Sequence, residues 1–328
     1  MKHIRFFYTI SSVFYKENVV LISVIFLIVG FIVLVRGADY FVDGASALAT
    51  RMRMSELMIG LTVVAMGTSM PELAICITSA FNGTSAIAVG NVVGSNVGNI
   101  LFIAGFLAVL SPLMVHKRSI FYEAPFILTI IGLLYYIISR YGVLSRAWSG
   151  VLLGLFLLYL IYLFVMAHNV PTEAKRSRKI KTISVSQICW YVVLGLIAVI
   201  LGSDVIVDSA TDIARHIGVS DRVIGLTIVA LGTSLPELVT GVVAVRKKQS
   251  DIAVGNIIGS SIFNMLFVLG VGAMFAPIYF EQAFIFDLCM SSVAVLMLIL
   301  CSYRTMCIGR IAGIVFLGVY GLYITHLI

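Results

Sequence analysis

Two glutamates, Glu72 and Glu237, stand inside runs otherwise apolar enough to cross a membrane. Each belongs to a near-identical stretch, IGLTVVAMGTSMPEL at 59–73 and IGLTIVALGTSLPEL at 224–238, matched at 12 of 15 positions. The second copy follows 165 positions after the first (72 to 237). A carboxylate at membrane depth is costly unless it is paired, hydrated or bound to a cation, so such an acid marks a functional site. Two acids related by an internal repeat mark one paired site.

The neighbouring residues are hard oxygen donors. Pro71 has no N–H and its ring crowds the carbonyl of Gly67, so the helix should break there and free backbone oxygens around Ala65 to Gly67. Irregular backbone is tolerated at membrane depth only where it lines a cavity or is buried in protein. Thr68 and Ser69 lie one turn before Glu72, on its face of the helix. The second copy supplies Ala230, Thr233, Ser234, Pro236 and Glu237 in the same order. After each signature comes another apolar run. VGNVVGSNVGNILF places Asn91, Ser95 and Asn99 on one stripe and Gly90, Gly94 and Gly98 beside it. VGNIIGSSIFNMLF repeats this with Asn256, Ser260 and Asn264, and with Gly255 and Gly259. Small residues at this spacing let helices approach closely.

Such oxygens suit Ca²⁺, which takes six to eight of them, some from carboxylate. Softer transition metals prefer nitrogen or sulfur. Mg²⁺ holds its water and demands stricter geometry. The two acids are neutralised by one Ca²⁺, two Na⁺ or two protons. A protein that changes its facing only when the pair is neutralised would couple the opposite fluxes of these ions.

The elements that must position these residues follow from composition. The chain has 328 residues, is 61% hydrophobic and only 11% charged, with mean hydropathy +1.11. Soluble domains carry about 25% charged residues. Ten apolar helical spans are predicted at 19–37, 56–81, 86–111, 120–139, 148–167, 188–207, 222–245, 252–276, 282–302 and 308–326. The expected fold is an all-α polytopic membrane protein, with residues 1–18 as an N-terminal interfacial segment, 19–167 as a first five-helix repeat, 168–187 as a basic cytoplasmic linker and 188–328 as a second five-helix repeat. The repeat runs without a gap from 37 to 112, pairing Asp39 with Asp204, Asp43 with Asp208 and Glu56 with Asp221. Because five is odd, the second copy enters the bilayer from the opposite face. That is the inverted-repeat plan of many secondary transporters, with the site where the halves meet. Fourteen Lys and Arg fall on one set of alternate connections and seven on the other. The positive-inside rule then places the richer set, including 168–187, in the cytoplasm. Five scattered cysteines form no Cys-x-x-Cys pair, and five histidines at span ends form no ligand cluster.

The motifs G-T-S-x-P-E and G-N-x-x-G-S, each present twice on successive helices, resemble the calcium/cation antiporter superfamily, its Na⁺/Ca²⁺ exchangers in particular. The resemblance implies exchange of Ca²⁺ for Na⁺ by alternating access in the cell (inner) membrane. It implies that Ala65, Thr68, Ser69, Glu72, Ser95 and Asn99 act as ion ligands. Their counterparts would be Ala230, Thr233, Ser234, Glu237, Ser260 and Asn264. The long first helices of the two halves, 19–48 and 188–213, would slide and switch access. Some members carry aspartate where this chain has Asn264, and asparagine where it has Ser261. Asparagine at 264 argues against K⁺ co-transport and leaves two acids at the centre. The central linker is too short for the calcium-sensing domain of large eukaryotic members.

The partners implied are lipid, Ca²⁺ and Na⁺, with no cofactor and no nucleic acid, in a protein that can work as a monomer. H⁺-coupled Ca²⁺ export is the alternative, since a proton also neutralises a carboxylate. A cation channel suits inverted halves less well. An intramembrane hydrolase would need a base that the serines lack.

Overall fold

The computed structural model describes residues 2–169, 184–219 and 230–327, with side chains for 20–167, 184–219 and 231–327. Helix α1, Lys2–Met52, is followed by α2, Glu56–Thr68, and α3, Met70–Phe81. Next come α4, Ser85–Leu110, α5, Ser119–Tyr141, and α6, Arg146–Asn169. The second half holds α7, Val185–His216, then α8, Ala230–Gly232, and α9, Leu235–Arg246. It ends with α10, Ser250–Phe275, α11, Phe284–Ser302, and α12, Arg310–Leu327. Eight of the described helices are long and apolar enough to cross a membrane, and α2 with α3, bent by 45°, make a ninth span if counted as one. The expected span 222–245 begins outside the described residues, as do Asp221, Arg222 and most of the linker 168–187.

Residues 2–18 are not a separate element. No glycine or proline precedes Gly30, so nothing breaks the helix, and α1 runs unbroken for 51 residues. At 1.5 Å per residue that is about 76 Å, far beyond a hydrocarbon core of about 30 Å, so its first turns extend past the span.

Helices α1 and α7 pack along glycines seven apart: Gly30, Gly37 and Gly44 on one, Gly195 and Gly202 on the other. A Cβ on Gly195 would lie 2.6 Å from the Phe41 nitrogen, and one on Gly202 2.7 Å from the Leu34 nitrogen. The backbones therefore touch. This is the small-residue packing that membrane helices use where no hydrophobic force drives them together. Ser46 Oγ ties α1 to α2 by donating to Glu56 Oε1 at 2.8 Å.

Four two-residue strands cross-link the ends of the helices: β1, Leu113–Met114; β2, Val143–Leu144; β3, Ile278–Tyr279; and β4, Cys307–Ile308. β1 pairs with β4 and β2 with β3, both antiparallel, so each half lends a strand to the other. Beside β1, His116 Nε2 donates to Asp251 Oδ2 at 3.1 Å, at the first turn of α10. That hydrogen bond, aided by the nearby charges of Asp251 and Glu123, raises the His116 pKa against burial and the charge of Arg118.

Candidate functional site

The site forms where α2, α3, α9 and α10 meet. The first signature breaks at Ser69, whose backbone (φ −86°, ψ 13°) separates α2 from α3, with Pro71 in the first turn of α3. Ser234 (φ −92°, ψ 2°) does the same before α9. Both glutamates thus lie in the first turn of a helix, Glu72 in α3 and Glu237 in α9, each 1% exposed. Each keeps one carboxylate oxygen, Oε2, without a partner.

Two of the carbonyls near these breaks are engaged. In the second copy the carbonyl that Pro236 cannot serve belongs to Gly232, and it accepts from Ser203 Oγ of α7 at 2.9 Å. Ala65 was also expected to offer a loosened carbonyl. Because the break falls at Ser69, the Ser69 N–H still reaches back to Ala65 O at 3.2 Å. That oxygen also lies 3.4 Å from Thr68 Oγ1 and, across the repeat, 3.4 Å from Ser260 Oγ.

The hydroxyls cross between halves. Ser69 Oγ donates to Glu237 Oε1 at 3.0 Å, not to the glutamate of its own signature. Ser260 Oγ lies 3.5 Å from the same oxygen. Thr68 Oγ1 donates to Asn256 Oδ1 at 3.0 Å, and Thr233 Oγ1 to Asn91 Oδ1 at 3.4 Å. These two bonds exchange places under the internal repeat, since Thr233 follows Thr68, and Asn256 follows Asn91, by the same interval that separates the glutamates.

The remaining expected ligands are buried. Ser95 is 6% exposed, Asn99 1%, Ser234 8% and Asn264 0%. Among the described residues, the amide groups of Asn99 and Asn264 have no protein partner. Each asparagine sits in a π-helical turn, Gly98–Ile103 and Asn264–Val268. Such turns insert an extra residue and often mark functional positions. Ala230 opens α8, but its side chain lies outside the described residues. Among the described residues no group of three or more His, Cys, Asp or Glu gathers. The donor set is two carboxylates with hydroxyl, amide and carbonyl oxygens, which fits a hard cation and no soft metal.

Glycines bring these helices together. A Cβ on Gly60 would lie 2.7 Å from Ile252 O, one on Gly255 2.6 Å from Leu57 O, and one on Gly259 2.7 Å from Leu61 O. Helix α10 therefore lies backbone to backbone on α2, and Ser260 can reach the Ala65 carbonyl.

Sequence reasoning left Asn91 and Asn256 out of the ligand set, although they share the stripe of Ser95 and Ser260. Asn256 is the hub: its Oδ1 accepts from Thr68 and lies 3.4 Å from Ser260 Oγ. Two further acids went unread. Glu123, 1% exposed, accepts from Tyr162 at 3.5 Å, and Asp287 accepts from Tyr323 at 3.0 Å. Both lie off the centre, Glu123 pinning α5 to α6 and Asp287 pinning α11 to α12. Continuing the repeat past 112 with a one-residue gap would have found them.

A model of the family described as sodium/calcium exchanger protein matches residues 22–165 and 188–328, which is most of the chain. The chain belongs to the sodium/calcium exchanger family. CaxA of Alkalimonas amylolytica is 42% identical, over 78% of this chain and 82% of that protein. Inner membrane protein YrbG of Escherichia coli is 34% identical, over 91% and 94%. The fold is similar to that of the sodium-calcium exchanger NCX_Mj, in a structure soaked with Na⁺ and Sr²⁺, with TM-score 0.81 at 31% identity over 93% of this chain and 98% of that one. This exchanger-family chain is a multi-pass membrane transporter, not an enzyme.

Proposed function

We propose that this chain is a secondary antiporter of the inner membrane that exchanges Ca²⁺ for Na⁺ by alternating access. Ten spans in two inverted five-helix repeats carry it. The ions bind at Glu72 and Glu237, with Ala65, Thr68, Ser69, Ser95 and Asn99 and their counterparts Ala230, Thr233, Ser234, Ser260 and Asn264. One observation carries this reading: Ser69 of the first signature donates to Glu237 of the second. The first half thereby supplies a hydroxyl to the second half's carboxylate, and the paired charge lies at the junction of the halves.

The couple follows from neutralisation. Two buried carboxylates facing each other without a counter-charge are unfavourable at membrane depth. One Ca²⁺ balances them, and so do two Na⁺, but an empty site does not. Only loaded protein then changes its facing, so inward Na⁺ drives Ca²⁺ the other way. The name and soak ions of NCX_Mj, and the name YrbG bears, support the ions and the membrane.

Reconstituted protein in vesicles tests this. Radiolabelled Ca²⁺ uptake is expected to follow an outward Na⁺ gradient and to ignore K⁺. Uptake driven by a pH gradient without Na⁺ would replace the sodium couple with a proton couple. Uptake indifferent to both gradients would sink antiport.

Asn264 sets the charge count. It is fully buried, with both amide atoms unpartnered. Asn264→Asp adds a third acid, so one more monovalent charge is needed for neutrality. Cation affinity should rise about tenfold, the size of one charge-assisted contact of about 1.5 kcal/mol, or K⁺ should begin to stimulate flux. Titration calorimetry with unchanged Ca²⁺ and K⁺ binding would remove Asn264 from the ligands.

A further inference from the structure

The turn that follows the signature helix is built twice to one pattern. After α3, the N–H groups of Asn82, Gly83 and Thr84 donate back to Thr78, Ala80 and Ser79 at 3.0, 3.3 and 2.9 Å. After α9, those of Lys247, Lys248 and Gln249 donate to Val243, Val245 and Ala244 at 2.9, 3.0 and 2.8 Å. The second residue is left-handed in both turns, Gly83 at φ 69° and Lys248 at φ 58°. The turn after α9 thus keeps the same backbone with a lysine where the first copy has a glycine.

That residue differs between the copies. Lys247 Nζ lies 2.8 Å from Asp43 Oδ1 and 3.3 Å from Asp39 Oδ1, and donates to the Asp39 carbonyl at 2.7 Å. These three oxygens all belong to α1. In the other copy the acids persist on α7 as Asp204 and Asp208, but the lysine position is Asn82. A short neutral amide cannot make that ion bridge.

We propose that Lys247 is a positioning residue that latches α1, on one side of the repeat alone, to the end of α9. The latch biases the transport cycle toward the placement of α1 seen here and makes the two faces of the exchanger unequal. The proposal rests on the alternating-access reading above. If α1 and α7 move as a pair over the bundle, any such movement at Asp39 and Asp43 breaks the bridge. No ligand at the ion site is touched, so the effect lies on the equilibrium between facings and not on ion binding itself.

Pairs of spin labels, one on α1 and one on the bundle, read this directly in full-length protein whose five cysteines have been replaced. Lys247→Asn is expected to raise the population of a second α1 distance about three- to tenfold, the range that half-exposed ion bridges supply. Lys247→Arg should preserve the wild-type distribution. Asn82→Lys should install the mirror latch on α7 and shift the weight the opposite way. In vesicles, the ratio of half-saturating Ca²⁺ on the two faces should move oppositely in Lys247→Asn and Asn82→Lys. A general loss of stability would move both faces together and overturn the latch. So would identical distance distributions in wild type and Lys247→Asn. Distances that respond in a protein without Ca²⁺ exchange would instead fault the proposed cargo and leave the latch standing.

Discussion

Glu72→Gln and Glu237→Gln are each expected to abolish Ca²⁺ exchange while leaving the protein folded. The amide keeps the shape and volume of the side chain but removes one of the two charges that balance Ca²⁺. Losing one partner of a buried charge pair costs about 3–5 kcal/mol, a fall in affinity on the order of 10²–10⁴-fold. The two variants are not equivalent. Glu237 Oε1 accepts from Ser69 at 3.0 Å and has Ser260 at 3.5 Å. An amide placed there with its NH₂ toward Ser69 would face a donor with a donor. Glu237→Gln should therefore also lower the melting temperature more than Glu72→Gln does. Flux assays on purified, monodisperse protein check the first point, and wild-type uptake in either variant would remove the carboxylate pair from the centre of the mechanism.

Gly259→Val should be nearly as damaging although it alters no ligand. A Cβ at this position would lie 2.7 Å from Ala65 Cβ and from Leu61 O, and 2.8 Å from Leu61 Cα. Two of those three atoms are backbone, and valine adds two methyls beyond the Cβ. Overpacking of this kind costs about 1–3 kcal/mol or more. Helix α10 must then back away from α2, and the adjacent Ser260 loses its reach to Ala65 and Glu237. Exchange should fall at least about tenfold with the fold retained. Gly154→Ala is the control, since its Cβ would meet nothing within 4 Å. Full flux in Gly259→Val would mean that the close approach of α2 and α10 does not position the site.

Both results turn on features that differ in how far they can be read in advance. Glu72 and Glu237 were legible because a charged residue in an apolar run is conspicuous, and because the repeat returned each at the same interval. Gly255 and Gly259 were legible as a packing stripe, but their partners were not. Spacing shows that a backbone is bare on one side without naming the backbone that arrives there. Asn256 illustrates the same limit. Its place beside Ser260 was visible, yet its role depends on Thr68, 188 residues away. The π-helical turns at Asn99 and Asn264 left no trace in the sequence, because they change the backbone register without requiring a special residue type. Lys247 read as one more basic residue in a topology signal. Its bridge to Asp39 and Asp43 joins positions 208 and 204 residues apart, which spacing along one helix does not show.

By itself the sequence determined that the chain lives in a membrane, that it is built twice, and that hard oxygens surround two acids. Those properties follow from composition and from spacing along one helix, where bonded geometry suffices. Only the tertiary structure decided which oxygen meets which acid. The Ser69 hydroxyl meets Glu237 of the other half and not the nearby Glu72, and the glycine contacts of α10 bring Asn256 and Ser260 within reach of Thr68 and Ala65. Contacts between segments far apart in the chain depend on how closely two backbones approach, and that distance is set by both partners at once.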